Sequence, residues 1–332
     1  MGLDSLKRIV KFVDLTSSQL LLKMGLESNS LIILYLHGIF VSKREKETAS
    51  EIIISYDGLT LDGFRNVIKY FIASGYTFIS PEDMLVGLPK YKKYVLLTFD
   101  DGYASNKIIL QVLKEFKVPA VLFVSPRNIL NNKCFWWDVV YRELYKRSFS
   151  LRKIQTEIQR LKKLKAEEID EDINANFGPD AFNPIDNLDR PLTVKELREF
   201  SRQPYVFIGN HTMDHAILTN YSVNEIRSQI LMAQDILDDI VNHNLRIIAY
   251  PSGAYSPDVL KACREMKFLL GFTIEPEKVS VPLSHLGDSS FTLGRYSLKS
   301  DDETVLRNCD IARSDFLCSR SLKKVYHFIG LN

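Results

Sequence analysis

Little in this chain points toward nucleic acid, a disulfide scaffold or a bilayer. Only four cysteines occur, Cys134, Cys263, Cys309 and Cys318, scattered and with no CxxC pair. That excludes a zinc ribbon and a disulfide framework, and a chain of 332 residues buries enough apolar surface to need no staples. The thiols are expected to be reduced, as in a reducing compartment. Formal net charge is only +2, and no basic stripe is interleaved with aromatics, so no nucleic-acid partner is expected. No apolar run approaches the ~20 residues of a membrane span. The opening stretch MGLDSLKRIVKFVDLTSSQLLLKMG lacks a signal-peptide core, so the expected location is cytoplasmic. That stretch could form an amphipathic helix that touches the inner face of the membrane, or one that packs on the protein's own surface.

What is present is alternation. Short apolar runs, LIILYL (31–36), YVLLTF (94–99), PAVLFV (119–124), YVFIG (205–209), RIIAY (246–250) and LLGFTI (269–274), read as buried strands. Between them lie helical patterns such as LDGFRNVIKYFIAS (61–74) and SNKIILQVLKEF (105–116). Ser80-Pro81, Ser222 with Glu225, and Ser256-Pro257 read as helix starts. Repeated strand–helix units predict an α/β fold with parallel strands, and a count of seven or eight favours a distorted (β/α) barrel. Residues 126–204 interrupt the alternation with helical, charge-rich sequence that turns irregular through NFGPDAFNPIDNLDRP. The expected organisation is an N-terminal helical extension (1–30), a barrel (31–298) with a helical insertion (126–204) near the active-site face, and a C-terminal helical tail (299–332).

In parallel α/β units the C-terminal strand ends face the active site. Four polar clusters sit at such ends: LYLHG (34–38), FDDGY (99–103), GNHTMDH (209–215) and YPSGAY (250–255). His211 and His215 are four apart, and on a helical turn both imidazoles would point one way, a common arrangement for two metal ligands. Two surface or capping histidines would show the same spacing. Asp100 and Asp101 are adjacent, so one could bind a metal while the other takes a proton; a DDG stretch can also be a solvated Asx turn. The strand before it and the HxxxH elsewhere favour the metal reading.

At these residues the sequence resembles the polysaccharide deacetylases, the NodB-homology or carbohydrate esterase family 4 fold. LLTFDDGY, GNHTMDH and YPSGAY look like the family's three leading motifs in their usual order. LYLHGI and the stretch before TFDDG resemble the branch that contains the poly-N-acetylglucosamine deacetylases. The likeness covers about 31–125 and 205–298. It implies a distorted barrel with a divalent cation, most often Zn2+, with Co2+, Ni2+ or Mn2+ as alternatives. It implies Asp100 as general base, Asp101, His211 and His215 as metal ligands, and His37 as catalytic acid. The family's arginine motif departs here: Arg246 lies at the wrong end of its strand, so Arg295 in LGRYSL is the candidate to orient Asp100. The tyrosine expected after Pro251 is Ser252, which keeps a backbone N–H for an oxyanion.

The implied activity is removal of an N-acyl group, most simply N-acetyl, from a sugar amine in a saccharide or surface-glycan precursor. Tyr103, Tyr250, Pro251, Ser252, Gly253 and Trp137 are the candidate substrate contacts, with Trp136 and Tyr255 as further aromatic faces. The tryptophans could equally pack the insertion onto the barrel. Deformylation or O-acetyl hydrolysis on a lipid-linked sugar, a metal-dependent phosphoesterase, and a non-catalytic carbohydrate-binding barrel remain as alternatives. An insertion over the rim would shorten the groove, favouring a small or lipid-linked saccharide over an extended polymer.

Overall fold

The computed structural model describes residues 3–49, 52–53, 58–241, 245–283 and 287–315. Nine strands form one sheet: β1 Ser30–Leu36, β2 Tyr76–Phe78, β3 Lys93–Phe99, β4 Ala120–Val124, β5 Val206–Asn210, β6 Ile247–Ala249, β7 Leu270–Phe272, β8 Val279–Ser280 and β9 Tyr296–Ser297. Apart from the short antiparallel β8, every pairing is parallel. The order β1-β3-β4-β5-β6-β7 curls round. The stretch 293–297 closes the seam: Leu293 bridges Phe272, and Tyr296 pairs with Leu34 of β1. The ring is therefore the predicted α/β barrel, seven strands round and distorted. Its closing side is a single bridge and one two-residue strand. β2 lies beside the first half of β3, whose second half pairs with β4.

Strand period 2 sorts the apolar residues into two layers. Leu31, Ile33, Leu96, Val121, Phe123, Ile247, Ala249, Leu270 and Phe272 pack together inside the ring. Ile32, Leu34, Val95, Leu97, Leu122 and Val124 face outward, under helix residues Phe64, Val67, Ile68 and Phe71. Burying one such phenylalanine stabilises the fold by roughly 2–3 kcal/mol. Gly209 of β5 makes room inside: a Cβ there would meet the Phe123 ring at 2.4 Å.

The expected helix starts are present. Ser80 accepts from the Asp83 N–H, and Ser256 accepts from that of Val259. Glu225 reaches back to the Ser222 N–H at 2.8 Å. The 105–116 stretch opens as a 3-10 turn before the α-helix Ile109–Phe116. Ahead of the barrel, the helix Leu3–Lys23 packs against Val305–Arg313, with Gln19 donating to Asp310. The rest of the tail, 316–332 with Cys318, lies outside the described residues; Cys134, Cys263 and Cys309 are free and buried. No helix among the described residues is long and apolar enough to cross a membrane.

The 126–204 stretch has its own core, with Val139, Val140, Ile154, Leu161, Ile169 and Ile173 at its centre. Its charge-rich part is two helices, Leu151–Leu161 and Ala166–Phe177, broken at 162–165. The irregular part is organised by a buried ion pair, Arg142 to Asp189 at 2.6 Å, while the same guanidinium donates to the carbonyls of Ala181 and Asn183. Backbone bonds from Leu192 to Gly102 and from Ala104 to Arg190 tie it to the loop after β3.

Candidate active site

β1, β3, β5 and β6 end at one rim, and His37, Asp100, Asp101, His211, Tyr250 and Ser252 line one cleft of about 310 Å³ there. Asp100 is fastened first. Its N–H donates to Leu36 O, continuing the β1–β3 ladder. Both of its oxygens accept from Arg295, each at 2.7 Å. Arg295 is fully buried, donates also to Thr273 O and Thr98 Oγ1, and lies over Tyr35 and Phe123. Burial alone would raise the Asp100 carboxyl, but the guanidinium more than offsets this and holds it below the usual carboxylate range.

At Asp101 the chain leaves the strand with φ of 77°, a conformation that costs a non-glycine residue energy and clusters at functional sites. That turn, rather than strand alternation, separates the two carboxylates. Asp101 is buried, and neither of its oxygens has a hydrogen-bond donor. Instead Oδ1 faces His211 Nε2 at 3.4 Å and His215 Nε2 at 3.3 Å. Burial would raise this carboxyl too; His211 and His215, with His37 behind them, pull it well below the usual range.

The histidines do not sit on a helical turn, as the spacing suggested. They flank a loop in which Thr212 and His215 take φ of 60° and 51°. Asn210 fastens that loop: its Oδ1 accepts from Thr212 N at 2.8 Å, and its Nδ2 donates to Ile230 O at 3.0 Å. His211 Nδ1 lies 2.8 Å from Ala249 O. A carbonyl can only accept, so Nδ1 carries the proton and Nε2 keeps its lone pair toward Asp101, the tautomer a metal ligand needs. Burial lowers the pKa of His215, and Asp101 offsets this only in part, so that ring also stays neutral. One carboxylate oxygen and two imidazole nitrogens thus lie within 4.8 Å of one another. A buried carboxylate with no donor, aimed at two ring nitrogens, fits a divalent cation; three protein ligands leave a position open for water.

The other predicted residues divide. His37 is half-buried in the cleft wall, edge-on to Tyr35. Trp137 lines the cleft and packs its ring 4.5 Å from that of His215. Tyr103 is fully buried; its hydroxyl donates to Asp138 at 2.5 Å and accepts from Trp137 Nε1 at 3.0 Å. It supports Trp137 and does not reach a substrate. The Tyr250 ring is also buried, donating to Phe291 O at 3.0 Å, and only its position at the strand end reaches the cleft. Pro251 and Gly253 shape a 3-10 turn instead of lining it. Gly253 has φ of 68°, and a Cβ there would meet Ile274 at 2.4 Å. Ser252 does line the cleft. Trp136 also lines it, whereas Tyr255 is exposed outside. Arg246 sits at the far end of β6, bonded to Met266 O. Sequence reading missed Tyr35, Gln155, Ile158, Gln159, Lys162, Ile274 and Lys299, which complete the wall.

A barrel with a carboxylate–histidine–histidine cluster beside a second, arginine-clamped aspartate defines the class. Comparison with known proteins narrows it: the chain belongs to the polysaccharide deacetylase family, whose model matches residues 88–178 and 184–270. YxkH of Bacillus subtilis (strain 168), which carries the name polysaccharide deacetylase, is 22% identical over 222 residues, or 65% of this chain. The match spans 59% of that relative's length. Among solved structures, the Streptococcus pyogenes deacetylase PplD in complex with acetate is similar with a TM-score of 0.55 at 21% identity, covering 85% of this chain and 98% of that one. IcaB from Ammonifex degensii gives 0.54 at 18% identity, over 87% and 99%. At these identities the likeness is one of fold.

Proposed function

We propose that this protein is a metal-dependent hydrolase that removes an N-acyl group, in the first instance N-acetyl, from a sugar amine in a saccharide or glycan precursor. The observation that carries the reading is the donorless Asp101 carboxylate aimed at two imidazole nitrogens, next to Asp100 in the same cleft. Asp101, His211 and His215 would hold the cation, with zinc as the expected ion. When bound, it supplies Lewis acidity and lowers the pKa of water from 15.7 toward ~7.

Asp100 accepts the proton of the attacking water. Arg295 keeps it ionised and fixes the direction of its lone pairs. The Ser252 backbone N–H donates to the oxyanion as the carbonyl becomes tetrahedral. His37, on the β1 side of the cleft, protonates the departing amine, which leaves poorly as an anion. Trp137 offers a flat apolar face for the sugar ring. The proposed setting is a precursor handled in the cytoplasm at the inner face of the membrane.

Acetate and free-amine release from a panel of N-acetyl sugars, with Zn2+ added and then chelated, tests this. The expected result is release that needs the cation. Hydrolysis of O-acetyl sugars alone would replace the amidase reading with an esterase.

A further inference from the structure

The cleft carries positive charge that deacetylation does not use. One insertion helix, Leu151–Leu161, presents Gln155, Ile158, Gln159 and then Lys162 to the cleft. These positions are i, i+3, i+4 and i+7, a single helical stripe. Lys299, just after β9, lines the same space. The carboxylates among the lining residues are Asp100 and Asp101. Asp100 is already matched by Arg295, and Asp101 is aimed at the imidazoles. The Lys162 ammonium makes no hydrogen bond or ion pair among the described residues.

Lys162 is also pinned in place. Asn220 Nδ2 donates to the carbonyls of Lys162 and Leu164 at 3.0 and 2.9 Å, and Tyr221 Oη accepts from Ala166 N at 2.6 Å. The neighbouring Lys165 is paired with Glu225 at 2.6 Å, so of these two lysines only Lys162 is left facing the cleft without an acid. Burial lowers the Lys162 pKa; Asp101 raises it and Lys299 lowers it further, with a net fall. A cation held by Asp101 removes the one carboxylate that favours this ammonium, so an anion in the cleft is the remaining source of compensation.

We infer that Lys162 and Lys299, with the amides of Gln155 and Gln159, form a subsite for a phosphoryl group carried by the N-acylated sugar. The substrate is then a sugar phosphate or a phosphate-linked glycan precursor rather than a neutral polymer; the sugar half of this statement rests on the deacetylase reading. Two ammoniums suit a compact, multiply charged oxyanion, and the carboxamides supply uncharged donors beside it.

Calorimetric binding to the full chain, with and without Zn2+, tests the subsite. The probes are N-acetylglucosamine 1-phosphate, the methyl glycoside of N-acetylglucosamine, and inorganic phosphate. The expected result is binding of the sugar phosphate about tenfold tighter than the methyl glycoside at low salt, with the advantage shrinking as ionic strength rises. Lys162→Gln and Lys299→Gln should each reduce it, their combination should remove it, and Lys162→Arg should retain most of it. Equal affinity for the two sugars, an advantage that survives in the double variant, or tighter binding of inorganic phosphate than of the sugar phosphate would overturn the inference. Acetate release from both sugars without any phosphate preference would remove the subsite and leave deacetylation. A salt-sensitive phosphate preference without acetate release from any probe would do the reverse.

Discussion

Arg295 grips both oxygens of Asp100 at 2.7 Å across 195 residues of sequence. The guanidinium is fully buried and the carboxylate nearly so, hence each is the other's compensation. Asp100→Asn should retain bound zinc and lower kcat by about 10²–10⁴-fold, the range for losing a general base. Metal analysis and acetate release on the same sample check both halves. Loss of the metal with turnover intact would reverse the assignments of Asp100 and Asp101.

Arg295→Met removes one member of that buried pair and strands the other. Stability should fall by about 3–5 kcal/mol, read from urea unfolding. The double variant with Asp100→Asn should recover part of that loss, because the stranded charge is gone. Without recovery, the two residues would not be acting as a unit.

Asp101 behaves differently, because without a cation it has no donor. Zinc at about a hundredfold excess over Kd should stabilise the protein by about 2.7 kcal/mol, and chelation should remove that gain. Asp101→Asn should abolish the zinc-dependent rise in Tm while leaving the chelated protein at least as stable as chelated wild type. A zinc-dependent rise of unchanged size in Asp101→Asn would rule this carboxylate out as a ligand.

Tyr103 links the insertion to the site: its hydroxyl joins Asp138 to Trp137, and Trp137 lies against His215. Tyr103→Phe should cost about 1–3 kcal/mol of stability, since buried polar groups lose a partner. With Trp137 less firmly held, KM for the sugar should rise more than kcat falls. A fall in kcat alone would assign Tyr103 to the chemistry.

The far end of the barrel should govern acid stability. Glu27 accepts from Arg313, Tyr76 and Lys93, which joins the chain before β1 to the helix Val305–Arg313. Burial raises this carboxyl, but Arg313, Tyr76 and Lys93 bring it down from 4.5 to about 2. A depressed carboxyl contributes stability that is complete above the unfolded value and is lost as pH falls through the folded one. Wild type should therefore lose this contribution between about pH 4.5 and 2. Glu27→Gln should be less stable at pH 7 and show a flatter profile across that window. Parallel profiles for the two proteins would exclude Glu27 as the source.

Much of the site was readable because strand ends are readable. A run such as YVLLTF can only be a covered strand, and whatever follows it must emerge at the rim. That places His37, Asp100, His211 and Ser252 at one face before any coordinates exist. Tyr103 and Tyr250 were misjudged for a related reason. Their position after a strand is visible in sequence, but whether a ring turns toward the cleft or back into the core depends on neighbours such as Asp138 and Phe291. Lys162 was invisible in LKKLK, where every lysine has the same local context.

Local pattern alone, then, determined the alternating units, the barrel class, and which residues reach the catalytic rim, because strand period and burial are short-range properties. Long-range packing decided the rest. It joined Arg295 to Asp100, set Asp101 in a left-handed turn, and laid an insertion helix with Gln155, Gln159 and Lys162 along the cleft. Such contacts close only when segments far apart in the chain meet, and no window of sequence contains both partners.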